Sequence, residues 1–188
     1  CDTAQWRLDR SGQRLRRAGA SNVERRALAS ERDPWVKRHA RSFDRVLVDA
    51  PCLGVGSWRR NPDAKWRATP QDLAELQTRQ HDILASAARL VKPGGRLAYV
   101  TCSLLREENE DQTERFLAET PDFTLVPVAA AWAEAIGVPC PADGDYLRLT
   151  PARHGTDGFF IALFERQKPP PPGSFEAPDG APQDEERC

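Results

Sequence analysis

The chain contains 188 residues, with 27 Lys and Arg against 28 Asp and Glu, so its formal net charge is −1. Hydrophobic residues make up 39% of the composition, which excludes a wholly disordered, collagen-like or coiled-coil protein. No apolar run approaches the ~20 residues of a membrane span, and the residues after Cys1 do not resemble a signal peptide. Because the sequence contains no Met, even at position 1, we expect a globular fragment whose upstream part is missing.

The hydrophobic pattern predicts a basic helix, a strand and a long helix in the first half of the chain. Residues 5–19 form an Arg-rich amphipathic helix, and residues 43–49, FDRVLVD, have the composition of a buried parallel strand. Residues 69–91 show helical spacing of apolar side chains, with Thr69 as the N-cap and Pro70 in the first helical position. A strand followed by a long helix is the first part of a βαβ unit.

A second strand and an acidic helix are predicted next. Residues 92–95, KPGG, are expected to end the long helix, and the apolar run that starts at Arg96 to form a second buried strand. The acidic residues 106–119 predict a helix that Glu107, Glu108 and Asn109 open, where acids suit the helix dipole; the alternative is that these residues orient the loop. Residues 123–128 and 159–164 are further strand candidates. This order predicts an α/β fold with right-handed crossovers between parallel strands.

We expect one structured domain, residues 1–167, and a disordered tail, residues 168–188. The tail contains six prolines and several acidic residues in 21 positions. Such a segment cannot bury enough apolar surface to form a core.

Charge and cysteine content bear on partners and compartment. Residues 1–67 carry 16 basic and 8 acidic side chains, a net charge of +8, whereas residues 68–188 carry a net charge of −9. A basic half of this kind is typical of a polyanion-binding face, although a solvated basic helix has the same composition. Five widely spaced cysteines without a CxxC pair argue against a zinc site and a disulfide framework, and favour a reducing compartment, the cytoplasm.

Two of the cysteines lie just beyond the carboxyl ends of the predicted strands. Cys52 comes after VLVDAP and Cys102 after LAYVT, and Asp49 ends the first of these strands. Ligands of an open parallel sheet bind beyond the carboxyl ends of its strands, so neighbouring strands would bring both sulfurs into one crevice. A thiolate placed there is a strong nucleophile. The alternative is that both cysteines are small buried hydrophobic residues.

These cysteines lie in motifs that resemble a known enzyme family. DAPCLGVGSWRRNPDAKWR (49–67) and TCSLLREENEDQ (101–112), with KPGGRL before the second and HGTDGFF (154–160) near the end, resemble the RsmB/Sun-type RNA cytosine-C5 methyltransferases. The resemblance implies a Rossmann-like, S-adenosylmethionine-dependent methyltransferase fold, N-terminally truncated, of which residues 1–167 are the C-terminal portion. It also implies methylation of cytosine C5 in RNA, with 16S-type rRNA as the favoured substrate.

The resemblance assigns roles to individual residues. Cys102 is the nucleophile that adds to cytosine C6, and Cys52 assists release of the covalent adduct. Asp49 binds at the junction of cofactor and base, and Pro51 shapes the base pocket. Asp2 is the acidic residue that binds the ribose hydroxyls of the cofactor.

Other residues are weaker substrate or structural candidates. Arg59 and Lys65 are expected to contact the RNA, and Trp58 and Trp66 are either stacking surfaces or loop-packing residues. The three histidines have no ligand-like spacing, and we expect them to be structural or surface residues, with no metal site; they are His39, His81 and His154.

Some family features are absent or altered. The glycine-rich cofactor loop has no equivalent in the sequence, and Leu53 stands where members commonly have a small polar residue. Three alternatives therefore remain open: a tRNA cytosine-C5 methyltransferase, a non-catalytic RNA-binding remnant, and a thiol redox protein that uses Cys52 and Cys102.

Overall fold

A computed structural model describes residues 1–142 and 144–169. The strands are β1 Phe43–Asp49, β2 Val91–Thr101, β3 Phe123–Val126, β4 Leu147–Leu149 and β5 Phe159–Arg166. The helices are α1 Gln5–Arg17, α2 Pro34–Arg38, α3 Ala64–Arg67, α4 Pro70–Ala88, α5 Glu110–Glu119, α6 Val128–Ile136 and α7 Pro151–His154, with 3₁₀ turns at Val55–Ser57 and Arg106–Glu108. None of the helices in the described ranges has the length and apolar character needed to cross a membrane.

The strands form one mixed sheet in the order β1-β2-β5-β3, with β4 paired to β5. β1 and β2 are parallel and are connected through α4, which confirms the predicted βαβ unit. β5 runs antiparallel to β2, β3 and β4. The sequence predicted the α/β class, but it did not predict the antiparallel half of the sheet.

Helix α4 begins where its capping residues require. The Thr69 hydroxyl accepts a hydrogen bond from the Asp72 N–H at 3.2 Å, and the Asp72 carboxylate accepts one from the Thr69 N–H at 2.9 Å. This reciprocal capping box, followed by Pro70 in the first turn, satisfies N–H groups that the helix itself leaves free.

The prediction that residues 92–95 end the long helix was wrong. α4 already ends at Ala88, and the KPGG residues lie inside β2. They form an irregularity in the pairing with β1, because Phe43 is opposite Val91 while Arg45 is opposite Arg96. Three additional residues on β2 are accommodated in this bulge, where Gly94 has a φ of +77°.

β1 is less buried than its Val and Leu content predicted. Within the described ranges it pairs with β2 alone, and the side chain of Leu47 is 68% exposed. Only Val48 of this strand is buried, on the face that packs against α4. The expectation of a fully buried strand was therefore wrong, because β1 lies at the edge of the described sheet.

The hydrophobic core lies between the sheet and helices α4 and α5. Phe116 of α5 packs on Phe164 with ring centroids 4.7 Å apart and on Phe123 at 5.3 Å. Leu97 and Tyr99 of β2 are fully buried. This packing fixes β2 in the centre of the sheet and thereby fixes the position of the residues that follow it.

Two further predicted elements differ from the structure, and a third prediction lies mostly outside the described residues. The acidic helix of residues 106–119 is divided at Asn109 into a 3₁₀ turn and α5. The strand predicted over residues 123–128 ends at Val126, and Val128 starts α6, which the sequence did not predict. The predicted disordered tail lies outside the described residues from position 170 onward, so it stays a prediction.

Candidate active site

The structure brings the two strand-end cysteines together. Cys102 directly follows β2, and Cys52 lies three residues beyond the end of β1. Because the two strands are parallel neighbours with Asp49 opposite Val100, both chain segments leave the sheet at the same edge. The Cys52 and Cys102 sulfurs are 3.4 Å apart and share a hydrogen bond. Both residues are half-buried.

The pKa values of the two thiols are shifted in opposite directions. The hydrogen bond from Cys52 lowers the pKa of Cys102 to about 7, against the opposing effects of burial and of the nearby Asp49 carboxylate. The same hydrogen bond, together with burial, raises the pKa of Cys52 far above its ordinary value. These shifts favour ionisation of Cys102 over ionisation of Cys52.

Three glycines bring the loop after β1 against the loop after β2. Gly54 has a φ of +68°, and a Cβ atom there would lie 3.7 Å from the Cys102 sulfur. The Gly56 N–H donates to the Cys102 carbonyl at 2.9 Å, and the Gly158 N–H donates to the Gly56 carbonyl at 2.8 Å. A Cβ on either Gly56 or Gly158 would meet the other glycine's Cα at 2.7 Å. The DAPC, TCS and TDG segments thus meet in direct backbone contact.

A buried polar network lies beneath the cysteines. Glu108 is fully buried, and its Oε1 accepts from the Leu53 N–H at 2.9 Å and from Gln80 Nε2 at 3.0 Å. Gln80 Nε2 also donates to the Pro51 carbonyl at 2.9 Å. The helix dipole alone does not account for Glu108, because its carboxylate points into the protein.

Asn109 makes the corresponding contacts beside the other cysteine. The Thr101 hydroxyl donates to Asn109 Oδ1 at 2.6 Å, and Asn109 Nδ2 donates to the Ser103 carbonyl at 3.1 Å. All three side chains are fully buried. The sequence offered a role in orienting the loop only as an alternative for Glu108 and Asn109 and did not assign them to the site, since their letters are equally typical of an exposed helix start.

The residues assigned to the cofactor occupy different positions. Asp49 is exposed at the tip of β1, close enough to Cys102 for its charge to affect the thiol's pKa. Asp2 forms an isolated parallel bridge with Ala27. Its carboxylate accepts from the Ala4 N–H at 2.8 Å and lies 3.7 Å from Arg7. Asp49 is thus an open acceptor beside the cysteines, whereas Asp2 is already engaged in local contacts.

The candidate RNA contacts lie on the segment between β1 and α4. Arg59 lies 3.7 Å from the Asp157 carboxylate, which also accepts a hydrogen bond from Arg60 Nε at 2.6 Å. Trp66 is 82% exposed, and Lys65 Nζ lies 5.3 Å from the centroid of its ring. Loop packing therefore does not explain Trp66.

The histidines make structural contacts. His39 stacks on Trp35 at a centroid distance of 4.0 Å, and His81 Nε2 lies 2.6 Å from a Glu119 oxygen. His154 Nδ1 accepts from the Thr150 N–H at 3.0 Å. Over residues 1–142 and 144–169 no cluster of His, Cys, Asp and Glu is arranged to hold a metal ion.

Comparison with known proteins places these features in a family. The model of the family 16S rRNA methyltransferase RsmB/F matches residues 1–165. The probable ribosomal RNA small subunit methyltransferase B of Synechocystis sp. is 38% identical over 168 residues, which cover 88% of this chain and 36% of that relative. The chain therefore spans little more than a third of that relative's length.

Solved structures agree on the fold. The crystal structure of PH0851 matches with a TM-score of 0.77 and 37% identity, over 88% of this chain and 36% of that one. A methyltransferase homolog protein from Pyrococcus horikoshii matches with a TM-score of 0.67 and 30% identity, over 88% and 52% of the two chains. These neighbours confirm the predicted methyltransferase fold, and together with the matching family model they show that the chain belongs to the RsmB/F family of 16S rRNA methyltransferases.

Proposed function

We propose that the protein containing this chain transfers a methyl group to C5 of a cytosine in 16S-type rRNA, in the cytoplasm, through a covalent adduct between Cys102 and cytosine C6. The observation that carries the proposal is the sulfur pair, 3.4 Å apart at the carboxyl ends of two parallel strands. Membership of a methyltransferase family named for 16S rRNA supports the reaction type and the substrate class.

Cys102 is suited to begin the reaction. Its pKa of about 7 makes roughly half of the thiol ionised at neutral pH. The thiolate adds to C6, the C5–C6 π electrons move toward C5, and C5 becomes nucleophilic enough to accept a methyl group. Removal of the C5 proton then returns the electron pair of the C5–H bond to the ring, and the C6–S bond breaks with release of the Cys102 thiolate.

Cys52 is suited to the last of these steps. Its proton lies on a sulfur whose hydrogen-bond partner is the Cys102 sulfur. A donor at this position stabilises negative charge on the departing sulfur, and a thiol of lower pKa is the better leaving group. Cys52 therefore favours release of the adduct.

S-adenosylmethionine supplies the electrophilic methyl group when it is bound. The open Asp49 carboxylate at the tip of β1 fits a polar contact to this cofactor where it meets the base. Asp2 has one carboxylate oxygen engaged by the Ala4 N–H, and its second oxygen faces Arg7 at 3.7 Å, so ribose binding at Asp2 requires that this weak ion pair yield. The Pro51 carbonyl is held by Gln80, which keeps the start of the base pocket in place.

The RNA backbone is assigned to the basic segment between β1 and α4. Arg59 and Lys65 are exposed and carry positive charge that phosphates attract. The exposed face of Trp66 is available for stacking on an unpaired base.

Two substitutions in the intact protein test the mechanism. Cys102→Ala removes the nucleophile, and we expect loss of methyl transfer to 16S rRNA and of any covalent protein–RNA product. Cys52→Ala leaves the nucleophile and removes the donor, so a denaturant-resistant protein–RNA adduct should accumulate on gels. Cys140→Ala, at a half-buried cysteine far along the chain, is the control and should behave as wild type.

The activity of Cys102→Ala and two further measurements separate the proposal from its alternatives. Retained activity of Cys102→Ala would contradict the mechanism. Faster methylation of a tRNA transcript than of 16S rRNA, measured with the same enzyme, would transfer the proposal to the tRNA substrate. RNA retention without uptake of S-adenosylmethionine in titration calorimetry would instead support the non-catalytic alternative.

A further inference from the structure

The buried polar side chains beneath the cysteines form hydrogen bonds to the residues before and after each cysteine. Glu108 and Gln80 bind the residues on either side of Cys52, through the Leu53 N–H and the Pro51 carbonyl. Asn109 binds the residues on either side of Cys102, through the Thr101 hydroxyl and the Ser103 carbonyl. Two consecutive side chains, Glu108 and Asn109, therefore each bind at least one residue next to one of the cysteines.

The Glu108–Asn109 dipeptide is itself hydrogen-bonded to the sheet. The Tyr99 hydroxyl donates to the Glu108 carbonyl at 2.7 Å, and both residues are fully buried. Tyr99 lies on β2, the strand that ends immediately before Cys102. A continuous path of hydrogen bonds consequently connects β2 with the loop that carries Cys52.

Burial of the Glu108 carboxylate costs desolvation free energy, which only its hydrogen bonds offset. Glu108 Oε1 accepts two hydrogen bonds, whereas Oε2 is buried with no hydrogen-bond partner among the described residues. A leucine or methionine of similar volume would fill the space without the desolvation penalty, but it would leave the Leu53 N–H unpaired. Glu108 therefore supplies the acceptor oxygen that the Leu53 N–H needs.

We infer that Glu108 and Asn109 are positioning residues for the proposed reaction, Glu108 acting on Cys52 and Asn109 acting on Cys102, and that together they set the separation of the two sulfurs. The inference rests on the proposed function for its catalytic consequence. The positioning itself is a statement about geometry, and it can be measured without RNA or cofactor.

The first experiment measures how readily the two sulfurs meet. Diamide takes up two electrons and two protons from a close thiol pair and leaves a disulfide. Tryptic cleavage places Cys52 in the peptide of residues 46–59 and Cys102 in that of residues 97–106, so mass spectrometry counts the linked pair. In the intact protein we expect Glu108→Ala and Asn109→Ala to form this link at least tenfold more slowly than wild type.

Matched variants separate positioning from folding. Glu107→Ala changes an exposed neighbour of the same charge and should link at the wild-type rate. Glu108→Gln keeps an oxygen that accepts from Leu53 and Gln80, and it should restore the rate. If Glu108→Ala does not fold, Gln80→Leu replaces it, because this variant removes the donor to the Pro51 carbonyl and should also slow the link.

The second experiment uses RNA and distinguishes the two residues. Glu108→Ala misplaces Cys52, so the protein–RNA adduct should accumulate as it does in Cys52→Ala. Asn109→Ala misplaces the nucleophile, so less adduct should form from the start. A variant that was merely destabilised would lose both steps together, so it would not accumulate the adduct.

The outcomes are decisive in either direction. Linking of Glu108→Ala at the wild-type rate, or of Glu108→Gln as slowly as Glu108→Ala, overturns the inference. So does wild-type linking of Gln80→Leu where Glu108→Ala fails to fold. Slow linking of the Ala variants with rescue by Gln supports it, even if Cys102→Ala proves active, in which case only the proposed reaction fails.

Discussion

Replacing Cys52 by Ala should raise the pKa of Cys102. In the wild-type protein the hydrogen bond from Cys52 is the main cause of the lowered pKa, about 7, whereas burial and the Asp49 charge act in the opposite direction. Without the donor only the opposing effects and a local backbone contact remain. The pKa of Cys102 should therefore rise to the ordinary cysteine value of about 8.5 or beyond.

The magnitude follows from the ionised fraction and the intrinsic reactivity of the thiolate. At pH 7 about half of Cys102 is thiolate in wild type, against roughly 3% for a pKa of about 8.5. The thiolate of higher pKa is intrinsically about fivefold more nucleophilic, for a Brønsted coefficient of about 0.4–0.5. The alkylation rate at pH 7 should consequently fall about threefold in Cys52→Ala, while above pH 9 it should exceed the wild-type rate about fivefold.

The assay is alkylation by iodoacetamide between pH 5.5 and 10, read by mass spectrometry on the peptide of residues 97–106, which contains no cysteine besides Cys102. The two pH–rate curves should cross between pH 7 and 9. Cys140→Ala is the control, and its curve should follow that of wild type. Equal midpoints for Cys52→Ala and wild type would refute the role of the Cys52 hydrogen bond in lowering the pKa of Cys102.

Two stability predictions concern the scaffold around the site. Thr69→Ala removes the capping box of α4 and should reduce the free energy of unfolding by about 1 kcal/mol in urea titration. Thr78→Ala, an exposed position in the same helix, should not reduce it, and equal losses would contradict the capping argument. Gly158→Ala forces a Cβ against Gly56 and Leu104 and should cost about 1–3 kcal/mol, with an unchanged urea midpoint as the contrary result.

Features determined by neighbouring residues could be predicted from the sequence. The bounds of β1 and the start of α4 at Thr69 and Pro70 depend on local composition and capping, and the structure has both where they were predicted. The approach of Cys52 to Cys102 needed one additional step, the geometry of two adjacent parallel strands. That step is general for α/β sheets, so the approach of the two cysteines could be predicted although 50 positions separate them.

Features determined by distant partners could not be predicted. KPGG is typical of a turn that ends a helix, and it lies in β2 because Val91 pairs with Phe43 on the far side of α4. The burial of Glu108 depends on contacts with Leu53 and Gln80, which precede it by 55 and 28 positions. No local pattern distinguishes that glutamate from the exposed Glu107 beside it.

The proposed division of labour between the sulfurs depends on these contacts between distant residues. Two thiols at 3.4 Å that were free to exchange places would be chemically equivalent, and neither would be committed to attack or to release. They differ because each loop is held separately, and because the hydrogen bond between them favours ionisation at Cys102 and opposes it at Cys52. A thiolate and a fixed donor are what addition to a pyrimidine and departure from it respectively require. The motifs therefore supply the reactive atoms, and the buried carboxamide and carboxylate beneath them hold in place the two loops that carry those atoms.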